Sequence, residues 1–257
     1  MRKSNLVTAA AIAIVAYAAA DIVHEASHAL VARLSGIRVL SISTVAAPTA
    51  QESRAVAAAG TIANVIFGAM ALALVAEKRR FSAATYSLWL FGVVGTMNTA
   101  YLMYSGLSDS GDWAAVIAGA RPYWAWRLLI VTAGLIFYTT VIRVAVLLAT
   151  PWIADGDTSI ADFRRVIRVS YVTGGVLLVL GSAFNPIGRE VILISGVGAS
   201  FGLTCGLLLV PGILASDVKA PGWISNALEF QPAWIAAGLI VGIVFVGFFG
   251  PGVHFAR

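Results

Sequence analysis

The chain has 257 residues, 60% of them hydrophobic and only 11% charged, with a formal net charge of +5 and a mean hydropathy of +0.90. A soluble domain carries roughly a quarter charged residues. The composition therefore excludes an ordinary soluble enzyme and points to an all-α, polytopic helical membrane protein. The surplus of Lys and Arg belongs to loops, where it bears on orientation. No nucleic-acid partner is expected, and the lipid bilayer is the partner the composition demands.

A spanning helix needs about 20 mostly apolar residues, and the sequence offers six to seven such runs. The first covers Leu6 to Leu34 and stops at Ser35-Gly36, a helix-ending pair. Its length suits a spanning helix better than a cleaved leader. Residues 37–54 are short, mixed and partly alternating, as in a β-hairpin or re-entrant strand. Such backbone is tolerated at membrane depth only under cover of protein or a water cavity. The second helix is expected over Ala55 to Ala76 and the third over Ala83 to Tyr104. The polar stretch Ser105 to Trp113 follows. Arg121-Pro-Tyr-Trp-Ala-Trp-Arg127 has the aromatic and basic character of a membrane–water interface.

The fourth helix is expected over Leu128 to Ala149, with Arg143 snorkelling or paired. Asp155 and Asp157 read as part of a solvated loop. A fifth helix follows over Val166 to Phe184 and a sixth over Val191 to Leu214, separated by Asn185-Pro186 and Gly188. Gly198 and Gly202 have the spacing of helix packing in lipid. Cys205, the single cysteine, reads as a small buried hydrophobe. Ser216 to Gln231 is a polar connector, and the seventh helix covers Pro232 to Phe249. His254 takes no role. If all seven runs span, Lys and Arg divide almost evenly between the two sides, so the positive-inside rule sets no orientation.

The chemistry concentrates in His24-Glu25-Ala26-Ser27-His28. On a helix, His24 and His28 are i and i+4 and leave one face a turn apart, so both imidazoles can hold one zinc ion. Glu25 is placed to take a proton from a zinc-activated water. Only three histidines occur in the chain, and ionisable groups inside a membrane segment are costly and tend to be functional. A catalytic zinc takes three protein ligands and keeps one position open. A seven-span topology brings the end of the first helix together with residues 55–64 and 104–112. Asp109 and Asp112 are then the candidates for the third ligand. Glu52 and Asp21 stand behind them, Asp21 as a partner to a ligand histidine. In the second helix Gly60, Asn64 and Gly68 share one face. Asn64 could hydrogen-bond a substrate carbonyl or a neighbouring helix.

Taken together, His24-Glu25-Ala26-Ser27-His28-Ala29-Leu30, the small-residue run Ala59 to Asn64 and the aspartate region after the third helix resemble the site-2 protease family of intramembrane zinc metalloproteases. The likeness covers roughly residues 1–115, the family's three-helix catalytic core. Residues 116–257 add further spanning helices of the same membrane domain, with no motif that matches. The resemblance implies a Zn2+ cofactor bound by His24, His28 and an aspartate, Glu25 as the catalytic base, and Asn64 as the match to the family's second-helix asparagine. The chain departs from the family's Asn-x-x-Pro and Leu-Asp-Gly. Asn98 lacks the proline, and Leu107 to Trp113 replaces Leu-Asp-Gly. Gly111-Asp112-Trp113 looks like a variant of divergent members, so Asp112 is the expected ligand and Asp109 the runner-up. The expected substrate is a membrane protein, in the cell membrane of a prokaryote. Its helix would be unwound locally, by pairing with an edge strand within Ile37–Val45. The alternative is a non-peptidase membrane protein, a metal transporter or a zinc-stabilised scaffold.

Overall fold

The computed structural model describes residues 3–78, 80–186, 192–218 and 227–255. Gly188 and residues 219–226 of the connector lie outside them. Helix α1 (Leu6–Leu34) is the central post. Asn5 caps its start by accepting the Thr8 N–H. α1 packs against four other helices, which is why its apolar residues follow no single stripe. These neighbours are α2 (Arg54–Ala76), α3 (Ala83–Met97), α7 (Ile160–Ala183) and α9 (Pro232–Val244).

Lipid tails are as apolar as leucine, so close backbone approach rather than hydrophobic segregation holds such helices together. A Cβ at Gly68 would stand 2.9 Å from the Gly92 carbonyl, and one at Gly95 3.2 Å from that of Asn64. α2 and α3 therefore cross where neither carries a side chain. The third run is not one helix. Asn98 and Thr99 bond back three residues, to Gly95 and Thr96, and the chain resumes as α4 (Ala100–Ser108). A short α5 (Asp112–Ile117) and the long α6 (Tyr123–Ala154) follow. Arg127 donates to the carbonyls of Gly106 and Leu107 at the end of α4.

Beyond α7, residues Ile192–Gly202 wind in a wide helix with i to i+5 bonds. A tight turn (Cys205–Leu208) leads into α8 (Val210–Asp217). Among the described residues six helices are long and apolar enough to cross a membrane, α3 being too short alone. The protein is an all-α, multi-pass integral membrane protein. At the end of the bundle where α1 starts, Phe81, Tyr86, Trp89, Trp152 and Phe163 pack ring to ring. Asp157 is not in a solvated loop. It is 6% exposed, and its carboxylate accepts the Phe81 N–H at 2.7 Å. Asp162 likewise accepts the Ser4 N–H. Cys205 is exposed rather than buried, and a Cβ at Gly202 would meet nothing within 4 Å.

At the opposite end lies a small β element. Val39 bridges Thr49 antiparallel, with Leu40 N–H donating to the Pro48 carbonyl and Ala50 N–H to that of Arg38. This is the hairpin expected over residues 37–54. Its first arm also forms β1 (Ser41–Ile42), which pairs antiparallel with β2 (Val253–His254). Thr44 N–H donates to the Phe249 carbonyl, Phe255 N–H to that of Leu40, and the Arg33 guanidinium lies over the Phe255 ring. His254, given no role by sequence, is a strand residue.

Candidate metal centre

α1 carries His24 and His28 one turn apart, both buried. Their rings meet edge to face at 4.7 Å between centroids. His28 Nδ1 lies 2.6 Å from the Val56 carbonyl of α2. A carbonyl only accepts, so Nδ1 donates this bond and Nε2 is the nitrogen that faces Asp112. An outer partner of this kind fixes the tautomer of a metal-binding histidine. His24 stacks on Tyr101 of α4, ring centroids 5.7 Å apart. The sequence reading did not single out Tyr101.

Asp112 completes the cluster. Its Oδ2 stands 3.2 Å from His24 Nε2 and 3.5 Å from His28 Nε2. The three donor atoms lie within 4.8 Å of one another. Donors bound tetrahedrally at 2.0–2.1 Å from one zinc would be about 3.3–3.4 Å apart. The two separations bracket that value, and the nitrogen and carboxylate set is one that zinc takes, so the residues present fit the ion. Burial pushes the Asp112 carboxyl up. The hydrogen bonds and charges of the two imidazoles outweigh it and hold the group below the usual carboxylate range.

The neighbouring helices hold this arrangement. Trp113 Nε1 donates to Thr61 Oγ1 at 3.1 Å, which pins α5 to α2 beside Asp112. Gly60 faces the imidazoles so closely that a Cβ there would stand 2.5 Å from His28 Nε2. The runner-up Asp109 is turned elsewhere. It has left-handed backbone at the end of α4, φ 59°. Its carboxylate accepts the Tyr123 hydroxyl and lies 3.9 Å from Arg127. Glu52 lines the adjoining cleft without joining the donors. Asp21 bonds neither histidine: His24 Nδ1 has no partner and Asp21 Oδ2 has none.

Glu25 lies between two spaces. An open cleft of about 700 Å³ is lined by His24, Glu25, His28, Thr49, Tyr104 and Asp112, a size suited to a bound ligand or peptide segment. Asn64 does not reach this cleft. It lines a smaller inner cavity shared with His24 and Glu25, is 2% exposed, and its Oδ1 has no partner. The edge expected to receive substrate within Ile37–Val45 is already taken. Ser41 and Ile42 pair with the chain's own β2 on one side, and residues 46–50 fold against the other. The bonds flanking the Val39–Thr49 bridge turn the peptide groups of Thr49 outward, and Thr49 lines the cleft. No family model, no curated protein and no solved structure matches this chain.

Proposed function

We propose that the chain is an intramembrane zinc endopeptidase, a divergent relative of the site-2 proteases that its first 115 residues resemble. It would hydrolyse a peptide bond in or near a transmembrane segment of another membrane protein, in the cell membrane of a prokaryote. One observation carries the reading. His24 Nε2 and His28 Nε2 each stand close to the tetrahedral separation from Asp112 Oδ2, on the wall of an open cleft that Glu25 also lines.

His24, His28 and Asp112 would hold the ion. A zinc so bound supplies a polarised carbonyl and a water of lowered pKa. Glu25 takes the proton of the attacking water on its carboxylate and hands it to the departing amine, so each bond cut consumes one water. Asn64 lines the inner cavity with Glu25 and not the cleft, so its amide takes no direct part at the carbonyl oxygen. The substrate must reach the site extended, because a helical peptide bond is closed off by its own hydrogen bonds. The outer edge at Thr49 offers main-chain pairing beside the donors in place of the occupied β1.

Zinc per protein, measured on detergent-purified material, tests the reading together with cleavage of membrane-anchored reporter segments. Near-stoichiometric zinc is expected, lost with its activity in His28→Ala. Glu25→Gln should keep the metal and lose cleavage. A wild type that takes up no zinc even after reconstitution with added metal overturns the proposal. A Glu25→Gln variant that keeps both metal and full function would favour a transporter or scaffold.

A further inference from the structure

Beside His24 and Glu25, adjoining the cleft, lies an inner cavity of about 60 Å³. Five residues that line it each carry a buried oxygen with no hydrogen-bond partner. These are Asp21 Oδ2, Glu25 Oε2, Thr44 Oγ1, Asn64 Oδ1 and Asn98 Oδ1. Glu25, Thr44 and Asn64 are more than nine-tenths buried. They come from α1, the hairpin, α2 and the α3–α4 break, so the grouping is tertiary and not a local cluster. Asp21 stands one turn before Glu25 on the same face of α1, and neither carboxyl is paired with a Lys or Arg among the described salt bridges. Tyr17, Val94, Tyr101, Leu178 and Leu203 are among the side chains that line the remainder of the wall.

An acceptor left unpaired costs about 1–3 kcal/mol, so five of them demand donors. The carboxyl and amide torsions are soft, and each oxygen can turn into the cavity. A water needs about 10–15 Å³ of such space, so the cavity holds roughly four. Three waters already bring six O–H donors to five acceptors. A hard cation would also satisfy oxygens, but a divalent ion at His24 and His28 would repel it. The balance favours water.

We propose that this cavity is a site for bound water that feeds the hydrolysis, with Asp21 as the positioning residue that anchors it. Its role rests on the peptidase reading; its occupancy does not. Peptide hydrolysis uses one water per turnover, and a substrate lying in the outer cleft closes the route from bulk solvent. The inner cavity shares His24, Glu25 and Tyr101 with that cleft. Water passing from it meets the Glu25 carboxylate first.

Radiolytic hydroxyl footprinting oxidises side chains that touch bound water, and it reads the site without a substrate. In the full chain, Tyr101, Leu178 and Leu203 should be labelled severalfold faster than Leu88 and Phe91, which are half-buried like them and do not line the cavity. Asp21→Leu, which removes the anchor and fills the space, should bring them down to the Leu88 level while Tyr104 in the cleft stays unchanged. Asp21→Asn, which keeps a polar anchor, should retain the labelling should the leucine variant fold poorly. Both variants should keep zinc, and Asp21→Leu should lower kcat on a membrane-embedded substrate without raising KM. Labelling of Leu178 and Leu203 no faster than Leu88 in the wild type overturns the proposal. A melting temperature that rises in sodium chloride over choline chloride, and does so only with Asp21 intact, replaces water with a cation and also overturns it. Labelling as expected in a chain that binds no zinc would sink the peptidase reading and leave the water site standing.

Discussion

Replacing Gly60 with alanine tests whether the two imidazoles are held in place for a metal. The new methyl would stand 2.5 Å from His28 Nε2 and 2.6 Å from ring carbons of His24. Non-bonded contacts settle at about 3.5–4.0 Å, so rings or helix must retreat by about 1 Å. Metal–donor distances tolerate only about ±0.2 Å. The fold itself has slack. Overpacking costs about 1–3 kcal/mol, and alanine in place of glycine returns about 1 kcal/mol of helix propensity. Gly60→Ala should therefore fold with a modestly lower melting temperature. Its zinc affinity should drop by at least the roughly ten- to hundredfold that loss of an outer-shell partner costs. Competition against a zinc-chelating dye in detergent, run beside a thermal melt, reads both. Gly202→Ala, whose methyl meets nothing within 4 Å, should leave zinc affinity unchanged. A Gly60→Ala protein that binds zinc as tightly as the wild type would show that the histidine rings do not form the metal site in the arrangement described.

Asp112→Asn should cost more zinc affinity than the roughly ten- to hundredfold of an outer-shell change, and Asp109→Asn, already engaged by Tyr123 and Arg127, should bind zinc normally in the same titration. Trp113→Phe loses the bond to Thr61; about 1 kcal/mol for such a bond predicts a severalfold weaker zinc site by dye competition. The imidazoles hold Asp112 ionised to below the usual carboxylate range, so zinc affinity followed down in pH should show no separate step near pH 4 from this carboxylate. Asp157→Ala leaves the buried Phe81 N–H without its acceptor and should lower stability by about 1–3 kcal/mol in a thermal melt, with zinc content unchanged.

The bounds of α1 agree with those read from the sequence because an uninterrupted apolar run, the Asn5 cap and the Ser35-Gly36 stop all act locally. The i, i+4 histidine spacing is local too, so the paired imidazoles were visible in the sequence. The choice between Asp109 and Asp112 was not local. It depends on a left-handed residue at position 109 and on the Trp113–Thr61 bond, which together aim one carboxylate inward and the other outward. The third run contains no proline to mark its break at Asn98 and Thr99. Burial of Asp157 was hidden because its partner is a backbone N–H 76 residues away. Two-residue strands carry no alternation to read, so the pairing of Ser41 with His254 leaves no trace in the pattern. The inner cavity draws its five oxygens from four elements, which only the packed helices bring together.

That pairing of β1 with β2 also counts the crossings. β1 follows α1 directly, so it sits on the membrane face that α1 reaches after leaving the face of Ser4. Val253 and His254 share that face by hydrogen bonding. Residues 4 and 254 therefore lie on opposite sides, and a chain that starts on one side and finishes on the other has crossed an odd number of times. Among the described residues six long helices alone would return it to its origin. The broken α3–α4 segment, with its kink beside the candidate metal centre, supplies the remaining traverse. Tags placed ahead of residue 4 and after residue 255 should accordingly be reached by protease from opposite sides of a sealed vesicle.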